Sequence, residues 1–359
     1  MQSIEAHLYG GIPQEDIDNI PNFWMVFPNL KNQIFGEYHN SHSHAELVSA
    51  STKGFYKLLI NKDDVHKKIC ENAEFLEYNK KVNKAYEEWK AFANPILTNL
   101  KPADSNKEII LKLSEEILSK FTKLELLDKY DVYQVLLAYW NETMNDDVLL
   151  VIQDELGYKL AKVTDDIKEE PKESKKAKKD STKEKKPKEP KVIGWEGRLI
   201  PKQIVLDAFF EAEQKAIEEA EEKLSQTESE FEEFVEENTE DDELSQEAEI
   251  LKKCKTYEAS IKSQKKTIAD LKKKLDENCR KRYDTFTDSE ITDLLVNRKW
   301  YRTIDQGIQN LYVTVANHLT KRIVELYERY ENTLPELTVK LAEEEKEVAA
   351  HLAQMGFKL

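Results

Sequence analysis

Three histidines stand close together near the start of the sequence. His39, His42 and His44 lie in the polar segment EYHNSHSHAELVSASTKG (residues 37–54). Imidazole is a common ligand of transition metals, so this spacing is compatible with a metal site. The segment has no helical or strand periodicity and no cysteine nearby, which favours a solvated loop. We therefore predict no metal site in this chain.

Basic residues form a second group with possible chemistry. Lys272–Lys274 and Arg280–Arg282 are basic runs, and Arg298, Lys299 and Arg302 surround Trp300 and Tyr301. Such basic and aromatic mixtures can contact nucleic-acid phosphates. The residues that could contact DNA are Lys273, Arg280, Arg282, Arg298 and Lys299. The alternative, a solvated helix face with Trp300 and Tyr301 in the core, is the preferred interpretation.

The dipeptide Asn94-Pro95 is a third candidate. Amino-group DNA methyltransferases hold the target amine with an Asn/Asp-Pro-Pro-aromatic loop, and its aromatic ring stacks on the flipped base. Here Ile96 and Leu97 follow, so both the second proline and the aromatic residue are missing. A helix-ending Asn-Pro is the preferred interpretation. No other part of the chain predicts a catalytic residue.

Cofactor, redox and membrane signals are weak throughout the chain. No G-x-G-x-x-G or P-loop pattern occurs, so we predict no nucleotide or cofactor site. Cys70, Cys254 and Cys279 are widely spaced, which is typical of reduced thiols in a cytoplasmic protein. No apolar run approaches the roughly 20 residues that cross a bilayer. The N-terminus lacks the basic and apolar pattern of a signal peptide.

Composition favours a mainly α-helical protein with an uneven charge distribution. The 359 residues include only 9 glycines and 10 prolines, and 35% are charged. The net charge of −16 argues against general nucleic-acid binding, because phosphate neutralisation requires Lys and Arg. It conceals a lysine-rich block at 167–191 and a glutamate-rich block at 211–250.

The elements that would position these residues begin with a helical region, 1–162. Apolar periodicity predicts helices over 61–93, 105–121 and 123–141, with a break between Pro95 and Pro102. Residues 1–36 are loop-rich. Their apolar cluster around Trp24 requires a cover, such as a neighbouring domain.

A small two-stranded β ribbon is predicted next. The segments 148–153 (VLLVIQ) and 191–200 (KVIGWEGRLI) are short and rich in β-branched or aromatic residues. Between them, 163–190 is a Lys/Glu/Pro/Ser segment with almost no apolar residues. Such a segment cannot offset its ordering entropy, so we predict a disordered insertion.

Long helices follow the ribbon, within the region 191–285. Phe210, Ile217, Leu224 and Phe231 recur every seven residues, and so do Cys254, Ile261, Ile268 and Leu275. The polar stretch 238–243 separates the two series. This pattern predicts an antiparallel coiled-coil hairpin.

The last region, 286–359, predicts a second antiparallel pair. Thr287 with Glu290 and Thr333 with Glu336 fit capping boxes. Apolar stripes run along 304–330 and 334–355, and a stripe wider than one partner covers can dock a helix of another protein. The predicted partner-binding residues are Ile308, Leu311, Val315, Leu319, Leu341, Val348 and Leu352.

Several stretches resemble the long form of the type I restriction–modification DNA methylation (M) subunit. They are EAHLYGGIPQEDIDNIPNFWMVFPNLKNQIF (5–35), YDVYQVLLAYWNETMNDD (130–147), LIPKQIVLDAFF (199–210), KWYRTIDQGIQNLYVTVANHLTKRIVELYERYENTLPEL (299–337) and AHLAQMGF (350–357). They are spread from end to end and keep the family's order.

The resemblance implies partners and a process. In that family the M subunit pairs with a DNA-specificity (S) subunit, against whose helices its C-terminal helices lie. The complex contacts DNA and methylates N6 of adenine with S-adenosylmethionine, and a restriction (R) subunit joins for cleavage. The methyltransferase core is expected upstream of residue 1, so no catalytic or cofactor residue is transferred. The chain is then a fragment, a split gene product or a truncated form.

Three hypotheses follow. The first is an assembly module that contacts the S subunit through its C-terminal helices and the methyltransferase core through residues 1–36. The second is half of a split methyltransferase completed by a separate chain. The third is a stand-alone acidic coiled-coil interaction protein, motivated by the glutamate-rich block 211–250.

Overall fold

The computed structural model describes residues 6–8, 10–20, 22–37, 55–168, 192–237 and 247–355. The α-helices of these ranges are α1 Gln14–Asp18, α2 Phe23–Val26, α3 Pro28–Ile34, α4 Val65–Cys70, α5 Ala73–Leu97, α6 Asn106–Phe121, α7 Lys129–Tyr139, α8 Asn145–Gln153, α9 Lys202–Phe209, α10 Glu211–Glu237, α11 Glu247–Asp284, α12 Asp288–Thr292, α13 Arg302–Tyr330 and α14 Leu334–Gln354. Two π-helical segments cover Trp140–Met144 and Asp293–Tyr301, and two 3₁₀ segments cover Lys62–Asp64 and Gly157–Lys162. The mainly α prediction is confirmed.

Five short strands form two antiparallel sheets in the described ranges. The strands β1 Ile12–Pro13, β2 Phe35–Glu37 and β3 Phe55–Leu58 pair in the order β1-β3-β2. The strands β4 Thr164–Lys168 and β5 Val192–Gly197 form the second sheet, with Thr164 opposite Gly197. The predicted ribbon is therefore present, whereas the three-stranded sheet was not predicted from the loop-rich start of the chain.

The chain divides into two compact units. Unit 1 comprises Met1–Pro95, Lys107–Asn141 and Ile304–Leu359, and its core contains the fully buried Phe27, Phe75 and Trp89. The rings of Phe75 and Tyr312 stack with centroids 4.5 Å apart, and the Trp89 indole donates a hydrogen bond to the Leu113 carbonyl at 3.0 Å. Aromatic pairs of this kind add to the free energy of burial.

Phe23 and Phe27, in the apolar cluster around Trp24, pack inside unit 1. Both are buried, and the Phe27 ring lies 5.5 Å from that of Phe75. The Trp24 indole donates to the Ile17 carbonyl at 2.7 Å. Unit 1 itself therefore supplies the cover that these residues require, and no neighbouring domain is needed for them, although the Met25 side chain remains 80% exposed.

Unit 2 comprises Ile96–Asn106 and Glu142–Thr303 and contains the ribbon and the long hairpin. Helices α10 and α11 pair antiparallel, since Glu221 bridges to Lys272 and Glu228 to Lys265. Ile217 and Ile268, on the predicted heptad stripes, are buried. The predicted coiled-coil hairpin is thus confirmed, and its polar break at 238–243 lies outside the described residues.

Two predicted elements differ from the structure. Residues 148–153 belong to helix α8 rather than to a strand, and β4 supplies the second strand of the ribbon instead. The apolar run could not distinguish a buried helix from a strand. Helix α5 continues through Pro95 to Leu97, so the predicted break begins later. Of the predicted insertion 163–190, residues 164–168 form β4, and residues 169–190 lie outside the described ranges.

The predicted C-terminal antiparallel pair is also wrong. Helix α13 buries one stripe of side chains, from Ile304 to Tyr330, within unit 1. None of the described residues of α14 is buried, so this helix does not pack along α13 as a partner would.

Candidate assembly surface

Helix α14 begins at a well-formed cap. The Thr333 backbone N–H donates to the Glu336 carboxylate at 2.8 Å, and the Glu336 N–H donates to the Thr333 hydroxyl at 3.4 Å. This reciprocal pair is the predicted capping box. Pro335 occupies the first turn, where its missing N–H has no intrahelical partner. The cap defines where the helix starts.

The apolar stripe of α14 is exposed at most of its positions. Leu334, Leu337, Leu341, Val348, Leu352 and Met355 share one side at helical spacing. Leu341 is 56% exposed, Val348 is 58% exposed and Met355 is 72% exposed. A 21-residue helix is about 32 Å long. A stripe of this length is typical of a helix that docks against a partner helix.

The predicted partner-binding residues on α13 occupy a different environment. Ile308 and Leu319 are completely buried and Val315 is 8% exposed, whereas Leu311 is half-buried. The buried side chains form the core of unit 1 and are not accessible to another protein. The candidate docking surface is therefore narrowed to α14, where Leu341, Val348 and Leu352 lie.

All five predicted DNA-contacting residues form ion pairs within the chain, and four of them have side chains that remain at least partly exposed. Arg280 pairs with Asp166 at 2.8 Å, Arg298 with Asp293 at 2.8 Å, and Arg282 with Glu290. Lys273 is 77% exposed and lies 4.0 Å from Glu277. Arg282 also lies over the Phe209 ring, 4.3 Å from its centroid. These contacts give the arginines a structural role at the base of the hairpin.

The fifth residue, Lys299, is buried and cannot contact DNA. Its ammonium lies 2.6 Å from the Asp147 carboxylate and donates to the Leu199 carbonyl at 2.6 Å. The Trp300 indole donates to the same carboxylate at 2.9 Å. The DNA-contact prediction is wrong here because the π-helical segment turns Lys299 and Trp300 into the core of unit 2 together.

Burial has the largest effect on the pKa of the Asp147 carboxyl in this cluster. Loss of water raises the pKa of Asp147, and the nearby Lys299 and Trp300 only partly oppose this effect. A buried carboxylate without its cation would carry a large desolvation penalty. The Asp147 carboxylate therefore depends on Lys299 to offset the cost of its burial.

Three of the stretches that resemble the methylation subunit meet at the cluster of Asp147, Leu199 and Lys299. Asp147 ends the stretch 130–147, Leu199 begins 199–210, and Lys299 begins 299–337. They are separated by up to 152 positions in sequence, and the fold brings them into hydrogen-bonding distance. Sequence reasoning missed this role because the dipeptide Lys299-Trp300 gave only a basic-aromatic signal.

A second polar cluster joins the ribbon to the hairpin within unit 2. The Trp195 indole donates to Asp276 at 2.8 Å, and Lys202 forms an ion pair with the same carboxylate. Lys202 and Arg280 lie over the Trp195 ring, 4.9 and 5.7 Å from its centroid. Partial burial acts to raise the pKa of Asp276, but Lys202 and Trp195 outweigh it and hold that pKa below the usual aspartate range.

We predict that Asp276→Asn destabilises the protein in a pH-dependent manner. The folded state lowers the pKa of Asp276, so the carboxylate stabilises the fold above about pH 4 and loses that effect as the pH falls through its folded pKa. Because the side chain is partly exposed, the expected loss at pH 7 is only about 1 kcal/mol. Urea unfolding at several pH values measures it. Asp270→Asn, on the exposed side of the same helix, is the control and should show no such trend.

The remaining candidates gain no support as sites. His39, His42 and His44 lie outside the described residues. Within the described ranges, no group of three or more His, Cys, Asp and Glu side chains is arranged to hold a metal ion. In the same ranges no helix is both long and apolar enough to span a bilayer.

The dipeptide Asn94-Pro95 lies inside helix α5.

Comparison with known proteins found no match for the chain. No protein-family model, curated protein or solved structure matches it.

Proposed function

We propose that this chain is an assembly module of a type I restriction–modification methylation subunit, and that α14 docks the DNA-specificity subunit. The observation that carries the proposal is the apolar stripe of α14, which no other part of the described chain buries. Its exposed residues Leu341 and Val348 face the same side as Leu334 and Met355. A partner helix would remove this stripe from water, with about 25 cal/mol of stabilisation per Å² of apolar area buried.

The family-like stretches support the proposal independently of α14. They keep the family's order, and three of them meet at the Asp147–Lys299 pair, as motifs of one fold would. The proposal assigns no catalytic or cofactor residue to this chain. S-adenosylmethionine and the methyltransferase core belong to the complete subunit, and the R subunit would join indirectly.

The test is complex formation between the full chain and its cognate specificity subunit, followed by light scattering after size exclusion. We expect Leu341→Glu with Val348→Glu to weaken the complex at least about 30-fold, because one centrally buried apolar contact contributes about 2 kcal/mol or more. The melting temperature should not change, since both side chains are exposed in the free chain. An undiminished complex would contradict the proposal.

Val339→Glu with Ala350→Glu is the matched control. Both residues lie on the opposite side of α14, and the pair changes the net charge by the same amount. The control should leave the complex intact. The double substitution Val315→Asp and Leu319→Asp is not a test of docking. Both side chains are buried, so the added charges would unfold unit 1.

A second candidate is a stand-alone acidic coiled-coil interaction protein. Helix α10 favours it, since its 27 residues include twelve glutamates and two lysines. Partner binding by that helix would weaken strongly between low and ordinary ionic strength, because exposed charges are screened over about 8–10 Å. Docking through the apolar stripe of α14 should be much less sensitive to salt.

A further inference from the structure

A small pocket of unit 1, which we call the tyrosine pocket, is lined by residues of β3, the end of α13 and the start of α14. It encloses about 200 Å³, and its wall includes Gly10, Gly11, Tyr56, Tyr327, Tyr330 and Glu331. Pockets that hold drug-sized ligands are larger, at about 300–1,000 Å³. The volume therefore suits a small ion rather than a nucleotide or a peptide.

Three tyrosines contribute to the wall of the tyrosine pocket. Tyr327 and Tyr330 lie three residues apart in the last turn of α13, and Tyr56 lies in β3. Tyr330 is held in place, because its ring stacks on that of His7 with centroids 4.9 Å apart and its hydroxyl donates to Asp16. The faces of such rings attract ammonium groups. The wall therefore has the chemistry of an aromatic site for an organic cation.

The Glu331 carboxylate adds negative charge beside these rings. It follows Tyr327 by four residues, and the Tyr327 hydroxyl donates to it at 3.3 Å. In the part of the chain that the structure describes, Glu331 forms no ion pair. The C-terminal end of α13, which carries the negative end of the helix dipole, lies at the same place. Both features favour a positively charged ligand.

The start of α14 does not turn the tyrosine pocket into an anion site. A helix N-terminus attracts negative charge, but here the protein supplies that charge itself. The Glu336 carboxylate accepts from the Thr333 backbone N–H at 2.8 Å and from the Thr333 hydroxyl at 2.9 Å. The place that an anion would take is therefore occupied by Glu336.

The cations near the pocket do not neutralise it. Lys62 is engaged outside the wall, where its ammonium pairs with Glu328 at 3.7 Å. Among the described lining residues, Lys57 is the one cation, and the carboxylates of Glu331 and Glu336 stand against it. Two negative charges and one positive charge leave the wall with a net charge of minus one.

The glycine pair allows the backbone itself to form part of the wall. Gly10 and Gly11 have φ angles of 86° and 91°, a region that residues with a Cβ atom rarely adopt. Without side chains at these two positions, a ligand can approach the main chain closely. The pair therefore keeps the pocket open where larger residues would fill it.

We propose that the tyrosine pocket binds a small alkylated ammonium ion, with the tyrosine rings against its methyl groups and Glu331 near its charge. The pocket is separate from Leu341 and Val348 of the exposed stripe, so this inference goes beyond the proposed docking function.

The test uses the full chain and two probes of nearly the same shape. One is choline, and the other is dimethylbutanol, its uncharged isostere with carbon in place of nitrogen. Saturation-transfer NMR over a concentration series gives the dissociation constant of each probe. We expect choline to bind at least about fivefold more tightly than the isostere, because only the cation gains from the rings and the carboxylate.

Two variants test the wall directly. Tyr327→Leu and Glu331→Gln should each weaken choline binding by about fivefold or more, and Glu331→Gln should leave binding of the uncharged isostere unchanged. The controls are Tyr130→Leu, at a tyrosine of unit 1 that is 59% exposed, and Glu325→Gln, at an exposed residue of α13 outside the pocket. Both controls should bind choline as the wild type does. Melting temperatures verify that all four variants are folded.

The proposal is overturned if choline shows no saturable binding, if the two probes bind equally well, or if the wall and control variants lose the same affinity. Leu341→Glu with Val348→Glu should still bind choline. Failure of the tyrosine-pocket proposal is thus distinguishable from failure of the docking proposal.

Discussion

Replacing Lys299 with methionine should lower the free energy of unfolding by about 3–5 kcal/mol, because it leaves the buried Asp147 carboxylate without its cation. The substitution also removes the hydrogen bond to the Leu199 carbonyl. Urea unfolding of the full chain measures the loss. A value below about 1 kcal/mol would show that the pair does not determine the stability of unit 2.

Arg298→Met provides the matched control for Lys299→Met. It removes the neighbouring ion pair with Asp293, where both side chains are more than 40% exposed. Exposed pairs typically contribute about 0–1 kcal/mol, since water screens them. The contrast between adjacent residues isolates the effect of burial from that of lost charge.

The pH dependence of Lys299→Met gives a second readout. Burial already raises the pKa of Asp147 in the wild-type fold, and removal of Lys299 eliminates a contact that lowers that pKa. An aspartate with a raised folded pKa binds a proton more readily in the folded than in the unfolded state. Stability of the variant relative to wild type should therefore improve as the pH falls from 7 toward 5.

Gly197→Ala is the second substitution with a large expected effect. A Cβ atom at this position of β5 would lie 2.1 Å from the Ile200 carbonyl oxygen and 2.6 Å from the Tyr283 hydroxyl. Those two atoms are joined by a buried hydrogen bond of 2.8 Å, so neither can move without breaking it. We expect a loss of about 1–3 kcal/mol or more.

Gly194→Ala in the same strand is the control for Gly197→Ala. No atom lies within 4 Å of a Cβ built there. The added methyl group reduces the conformational entropy of the unfolded chain, so stability should be unchanged or slightly increased. Equal losses for the two variants in urea unfolding would contradict the steric explanation.

Local patterns predicted the helical elements well where one stripe of apolar residues was long. The heptads of 210–231 and 254–275 predicted the α10–α11 hairpin, and Thr287 with Glu290 predicted the capping box at α12. The segment 148–153 was misassigned because a short β-branched run fits a buried helix and a buried strand equally well.

The candidate sites were predicted less well than the helices. Helices α13 and α14 both contain an apolar stripe. Periodicity does not indicate which of the two stripes is buried by other residues of the same chain. Ile308 and Leu319 are in the core, whereas Leu341 and Val348 are exposed. Likewise, Lys273 and Lys299 both stand in basic runs, yet one is 77% exposed and the other is paired in the core.

The sequence by itself determined the mainly helical class, the positions of the caps and the antiparallel hairpin, because these depend on neighbours within one or two turns. Only the tertiary structure decided which side chains are free to bind a partner. Burial of Lys299 against Asp147 and exposure of α14 depend on contacts between residues far apart in sequence. Such contacts form when whole helices and strands pack together. The residue pattern within one helix or strand therefore does not predict them.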